Sequence, residues 1–332
     1  MKILVVCMLH TYGDPDREYS FEYFNFYQVL KDMGHQVELF DYMGEIEKHG
    51  KAGMNRRLLE RVTEWQPATA VFSLYTDQFE AQTINALRLH TKTFCFFHDD
   101  TWRLEYSRYW AGQFDYFSTP DLHGEMKYNE LGFANAIYFP FGTNEKVFRK
   151  IDTGKQFDVS FVGGWHPYRE WLINRIKKAG ISVEAHGHRW PKGEVDQEAM
   201  VRIFNQSRIN LNLTNSASWD LRYLASSPRA LINRVRSKKN IEQMKARIFE
   251  VSGCGAFQLS YFVEGLANCF NIDKEIAVYS DSDDLIEKIR FYLKHEELRE
   301  SIADAAYKRT LTEHTYAQRF QRVFSRMGLA ND

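Results

Sequence analysis

Short apolar runs alternate with amphipathic stretches along the whole sequence, and that alternation leaves few folds open. ILVVC (Ile3–Cys7), QVELF (Gln36–Phe40), ATAVFSLY (Ala68–Tyr75) and TFCFFH (Thr93–His98) have the length and side chains of strands buried on both faces. FDYFS (Phe114–Ser118) and AIYFP (Ala136–Pro140) predict two shorter ones. After the polar stretch RKIDTGKQ (Arg149–Gln156), a second series begins with FDVSFVG, ISVEA, INLNLT, GAFQLS and EIAVYS. Helical patterns fill the gaps. SFEYFNFYQVLKDMG closes on Gly34, and DSDDLIEKIRFYLKH opens with Asp281 or Ser282 as cap and acids in its first turn. Three helical segments end the chain, the last over Tyr316–Met327. The expected class is therefore α/β, with two Rossmann-like doubly wound domains and a cleft between them. In such sheets ligands bind beyond the carboxyl ends of the strands, so residues just after the predicted strands carry the search for function.

Composition narrows the function classes. At 332 residues the chain is long for one core, and 44% hydrophobic residues suffice for two. A formal net charge of −1 supplies no global field toward nucleic acid or anionic lipid, so anion binding has to be local. Cys7, Cys95, Cys254 and Cys269 are far apart with no C-x-x-C pair, which fits free thiols in a reducing cytoplasm better than a disulfide scaffold or a zinc site. MKILVVCMLH reads as a first strand rather than a signal peptide, and no run reaches membrane-spanning length.

Several post-strand constellations stand out, each with a plain structural reading beside a chemical one. Gly163 and Gly164 follow a strand and precede Arg169 in the first helical turn. They either form a tight turn with a solvated arginine, or let backbone N–H groups approach an anion. KARIFEVSGCGAFQLS (Lys245–Ser260) sets Lys245, Arg247 and Glu250 ahead of Gly253 and Gly255. This is a surface ion pair closed by glycine, or a grip on a nucleoside diphosphate, with cations on the pyrophosphate and a carboxylate on the ribose. Glu242 stands eight residues before Glu250. His98, Asp99 and Asp100 sit at a strand's carboxyl end, where a general base belongs and where a loop acid or a helix cap is equally at home. Gly13, a further candidate for donor binding, permits a close turn after the first strand, beside Arg17, Glu18 and Tyr19, but the G-x-G-x-x-G pattern of a dinucleotide site is missing. His186 and His188 read as loop residues, not metal ligands. The run from Arg229 to Lys239 is basic, a solvated face or a site for an anionic acceptor. Nucleic acid is a poorer fit, because the run lacks interleaved aromatics.

The R-x-F-E-x-x-x-C-G-A core at Arg247–Ala256, the E-I run before the helix at Asp281, and the E-H-T-Y stretch ending at Tyr316 closely resemble the C-terminal part of CgeB-like (spore maturation type) glycosyltransferases. SFVGGWHPYRE and INLNLT fit the same family's earlier strands, and FFHDDTWR is similar to its more variable N-terminal domain. The resemblance implies a GT-B fold. Residues 1–150 would form the acceptor domain, 151–315 the nucleotide-sugar donor domain, and 316–332 a helix packing back on the first. It implies donor binding by Gly163, Gly164, Arg169, Lys245, Arg247 and Glu250, with Glu242 matching a Glu-seven-Glu pattern by spacing. The segment Ser216–Asn240 looks longer than the family's usual connection.

The resulting expectation is a cytoplasmic, metal-independent glycosyltransferase that uses a nucleoside-diphosphate sugar such as a UDP-sugar as co-substrate and needs no cofactor. His98, Asp99 or Asp100 would deprotonate or orient the acceptor, a glycan or small molecule. Two alternatives remain at this stage: a nucleotide-sugar epimerase or hydrolase on the same fold, and a non-enzymatic polyanion-binding adaptor using the basic run.

Overall fold

The computed structural model describes residues 1–214, 219–237, 239 and 242–329. The chain divides into two compact units. One comprises Met1–Pro140 with the segment from Tyr316 onward, and the other Phe141–Thr315.

The first unit is built on a parallel sheet of β1 (Lys2–Cys7), β2 (Gln36–Asp41), β3 (Thr69–Ser73), β4 (Lys92–Phe96), β5 (Tyr116–Thr119) and β6 (Ala136–Tyr138), in the order β2-β1-β3-β4-β5-β6. Val5 pairs with Leu39 on one side and Val71 on the other, so the chain reverses its direction of travel across the sheet between β1 and β3. That reversal is the switch point at which side chains from neighbouring loops converge. β3 is wholly buried, whereas β2 is largely half-exposed because it forms the sheet edge and has a neighbour on one side alone. The aromatic stretch after β1 is a short π-helix over Tyr23–Tyr27 that passes into an α-helix over Gln28–Asp32, with Gly34 at positive φ behind it. Phe26 from this element meets Tyr316 and Phe320 of the final helix (Tyr316–Arg326), with ring centroids 5.8 and 5.3 Å apart. Burial of a phenylalanine such as Phe320 contributes about 1.5–3 kcal/mol, enough to anchor a helix that is otherwise distant in sequence.

The second unit repeats the logic with β7 (Phe157–Val162), β8 (Val183–His186), β9 (Ser207–Asn212), β10 (Gln258–Tyr261) and β11 (Ala277–Tyr279), in the order β11-β10-β9-β7-β8. All ladders are parallel, and the switch point lies between β7 and β9. Asp281 caps the helix Ser282–Lys294 by accepting from the N–H groups of Asp283 and Asp284. His186 ends β8 rather than lying in a loop, because its backbone carbonyl extends the strand by accepting from Gly163 N–H at 2.9 Å. All four cysteines are free and buried. Lys238 of the basic run, like Ser216 and Asn240 at the ends of the expected insertion, lies outside the described residues.

Gly187 shows how tightly the loops after β7 and β8 are joined. Its φ is +134°, and an added Cβ would come within 2.2 Å of the Gly163 carbonyl oxygen. Gly187→Ala should therefore lower stability by about 3 kcal/mol in denaturant unfolding, since both the backbone conformation and the contact resist a side chain.

Candidate functional site

In the second unit, the segments that follow β7 and β9 gather charge. The helix Ala246–Gly253 begins at Lys245, whose side chain makes no capping bond to the first turn. Arg247 Nη1 donates to Glu250 Oε2 at 2.6 Å, one turn on, and its guanidinium lies 5.2 Å from the Phe204 ring centroid. This is no solvated surface pair: Glu250 is only 6% exposed. Burial pushes its carboxyl up, and the charge of Arg247 opposes that rise. Gly255, at φ +60°, then turns the chain toward β10, where a non-glycine residue would also meet Lys150.

Arg169 closes the other side. Its Nη2 donates to Leu213 O at 2.7 Å, its Nε to Leu213 O and Thr214 O at 3.0 and 3.1 Å, and its Nη1 to Gly164 O at 2.8 Å. The side chain therefore clamps the loops after β7 and β9 together rather than extending into solvent. Burial lowers its pKa to about 10, with Tyr261, Tyr279 and Glu242 opposing and Arg247 reinforcing the fall. Glu242 is pushed up to about 7 by burial, against the hydrogen bond of Thr214 and the charges of Arg169 and Lys245. Arg169, Lys245 and Arg247 thus share one electrostatic neighbourhood with Glu242 and Glu250. Glu242 precedes the helix and Glu250 lies in it, so their eight-residue spacing does not put them on one helical face.

The two glycines have different roles. Gly163 N–H is committed to His186 O, and its carbonyl accepts from Trp190 Nε1 at 2.9 Å, so Gly163 offers no backbone donor to an anion. Gly164 is exposed, with open space where a Cβ would stand. His166 caps the following helix by accepting from Tyr168 N–H, and burial together with Arg169 and Lys239 lowers its pKa to about 4.

The first unit holds a separate cleft of about 480 Å³ at its switch point, lined among others by Tyr12, Phe21, Glu22, Ser73, Tyr75, His98, Asp99, Trp102, Arg103 and Tyr106. At its wall, His98 Nε2 lies 2.8 Å from Glu22 Oε1, and Ser73 Oγ donates to the same oxygen at 2.6 Å. Burial alone would raise the Glu22 carboxyl. The hydrogen bond and charge of His98, with the hydrogen bond from Ser73, outweigh it and hold the group below the ordinary carboxylate range. Glu22 and Ser73 escaped the sequence reading. The available signal was an acid standing alone in the aromatic helix SFEYFNFY, where solvation cannot explain it. Asp100 is 3% exposed and is not part of the cleft lining. Burial raises its pKa to about 7, with Thr119 opposing the rise, and the carboxyl packs away from the cleft. Gly13, at φ +74°, supports the turn beside Tyr12, and an added Cβ would press on Met43 at 2.9 Å. Its place is in the loop backbone. Among the described residues no group of three His, Cys, Asp or Glu side chains is arranged to hold a metal ion. His186 and His188 instead pair with Glu184 and Glu194.

Residues 169–325 match the model of a family described as glycosyl transferase-like. The matched segment is similar to that family over just under half of the chain. Over 220 residues the chain is 26% identical to the spore protein CgeB of Bacillus subtilis (strain 168), which agrees with the CgeB-like resemblance seen in the sequence. That match covers 61% of this chain and 64% of CgeB, just under two thirds of the relative's length. Among solved structures, sucrose-phosphate synthase from Thermosynechococcus elongatus superposes with a TM-score of 0.65 at 10% identity, covering 100% of both chains. HepE of Anabaena, solved in complex with UDP-glucose, superposes with a TM-score of 0.65 at 9% identity, covering 99% of this chain and 100% of its own. The fold is GT-B, and the segment that matches the family model contains Arg169, Glu242, Lys245, Arg247 and Glu250.

Glu242 gives this cluster a pH signature. A carboxyl raised from 4.5 to about 7 binds its proton more tightly in the folded chain, so folding is penalised as pH climbs between those values and the penalty stays constant above them. Glu242→Gln removes it. The melting temperature of the variant relative to wild type should accordingly be higher at about pH 8 than at about pH 5, as measured by scanning calorimetry in matched buffers.

Proposed function

We propose that the protein is a glycosyltransferase that moves a sugar from a nucleoside-diphosphate sugar to an acceptor hydroxyl. The observation that carries this reading is the convergence of Arg169, Lys245 and Arg247 around two carboxyls beyond the strand ends of the second unit. As the bond from the anomeric carbon to the diphosphate breaks, its electron pair passes to a phosphate oxygen. Preorganised cations stabilise that charge without needing to reorganise at the moment of reaction. Lys245 and the start of the helix Ala246–Gly253 suit the diphosphate, because a helix N-terminus favours negative charge. Glu250, steadied by Arg247, would accept from ribose hydroxyls. Positive charge from the protein takes the part that a divalent cation would play, so the proposed transfer needs no metal.

The acceptor is assigned to the cleft of the first unit. With Glu22 accepting from His98 Nε2–H, Nδ1 would be the ring nitrogen that acts on the acceptor. In an inverting displacement that nitrogen takes the proton of the acceptor hydroxyl as its oxygen attacks the anomeric carbon. In a retaining one the same ring orients the hydroxyl. Asp99 lines the same cleft and is the acidic residue retained from the HDD sequence as a candidate there. No described helix is long and apolar enough to cross a membrane. A cytoplasmic site of action remains part of the proposal, in keeping with the four free thiols.

Lys245→Ala and Arg247→Ala separate donor binding from folding. Lys245→Ala should weaken UDP binding roughly tenfold with an unchanged melting temperature, the effect of removing one charge from an anion site. Arg247→Ala should weaken it too, and also destabilise the fold, because Glu250 loses its buried partner. A radiolabelled donor incubated with chelator and candidate acceptors then identifies the reaction. Acceptor-dependent release of UDP supports transfer, while rapid change of the sugar without acceptor identifies an epimerase or hydrolase instead. UDP binding unaltered in both variants would overturn the donor assignment.

A further inference from the structure

The helix Pro228–Arg236 is one element that the donor and acceptor assignments leave unused. Its start is well made: Pro228 stands at the first position, and Ser227 Oγ accepts from Ala230 N–H at 3.2 Å. At 100° per residue, Leu231, Ile232 and Val235 fall within one arc of about 100°. That arc faces away from Ala230, the helix's buried residue, and the three side chains are 52%, 48% and 84% exposed. Arg229 and Arg236 border the stripe on one side and Arg234 on the other. The neighbouring segment adds Trp219 and Leu221, exposed at 70% and 78%. The Arg234 guanidinium lies 3.8 Å from the Trp219 ring centroid, which joins that indole to the cationic border. Among the described residues neither Arg229 nor Arg236 forms an ion pair.

An outward apolar stripe between two rows of arginine is costly in water and complementary to one kind of surface. We propose that this helix, with Trp219 and Leu221, seats the protein on an anionic phospholipid surface. The arginines would pair with lipid phosphates while Leu231, Ile232, Val235 and Trp219 enter the boundary between headgroups and acyl chains. Duplex nucleic acid would use the cations but gain nothing from the exposed aliphatic side chains. A second copy of this chain packed face to face would bring arginine rows against each other. The proposal does not depend on sugar transfer.

Cosedimentation of the full chain with sucrose-loaded vesicles tests it, comparing phosphatidylcholine alone with phosphatidylcholine containing phosphatidylglycerol. The anionic vesicles should retain the protein, less so as salt rises, and the neutral ones should not. The double variants Arg229→Glu with Arg236→Glu, and Ile232→Glu with Val235→Glu, should each reduce partitioning roughly tenfold. All four positions are exposed, so melting temperature should stay at the wild-type value and exclude unfolding as the cause. Four results would overturn the proposal: no retention by anionic vesicles, equal retention by both kinds, binding indifferent to the aliphatic substitutions, or a duplex oligonucleotide holding the protein as tightly as the vesicles. A wild-type dimer in sedimentation velocity that Ile232→Glu with Val235→Glu dissociates would equally reassign the surface to self-association.

Discussion

The buried pair Arg247–Glu250 is the contact on which the second unit's site depends. A carboxylate at 6% exposure is tolerable because a guanidinium sits one helical turn away, and losing one partner of such a pair costs about 3–5 kcal/mol. The pair ties the start of the helix Ala246–Gly253 to Met200 and Phe204 of the helix Gln197–Gln206, since Arg247 touches both. Arg169 does the equivalent work on the neighbouring loops, bridging the carbonyls of Gly164, Leu213 and Thr214. Under the proposed function, two arginines held by their own structural contacts would meet a ligand without first having to reorganise, the condition under which electrostatic stabilisation is most effective.

The first unit solves a related problem with different chemistry. Its switch point between β1 and β3 carries a buried acid, Glu22, that needs a partner, and His98 and Ser73 supply the hydrogen bonds. The histidine ring is oriented by the same contacts. Aromatic rings from Tyr12, Phe21, Tyr75, Trp102 and Tyr106 shape the rest of the cleft, so a ligand there would meet flat apolar surfaces around a small polar centre.

Much of this was visible in the residue order. Each of the eleven apolar runs corresponds to a strand, because parallel strands covered by helices must be apolar along their length. The edge position of β2 was not visible, since strand order depends on which helices pack where and not on the strand's own residues. The Arg247–Glu250 pair was legible because residues three apart in a helix share a face. The commitment of Gly163 N–H to His186 was not, because it arises from the close approach of Gly187 across two loops. Asp100 misled for a related reason. Its neighbours His98 and Asp99 line the cleft, while its own contacts are Thr119 and Tyr128, residues remote in sequence. Glu22 and Ser73 are 51 positions apart and meet only through the sheet.

The central claim is that the positive cluster around Arg169, Lys245 and Arg247 recognises a diphosphate. Calorimetric titration of the wild-type protein with uridine and with UDP, at low and at raised salt, tests it most directly. The account predicts that UDP binds at least about a hundredfold more tightly than uridine, with the difference shrinking as salt rises, because charge-assisted bonds to phosphate carry the affinity. Equal affinity for the two ligands, or none for UDP, would contradict it.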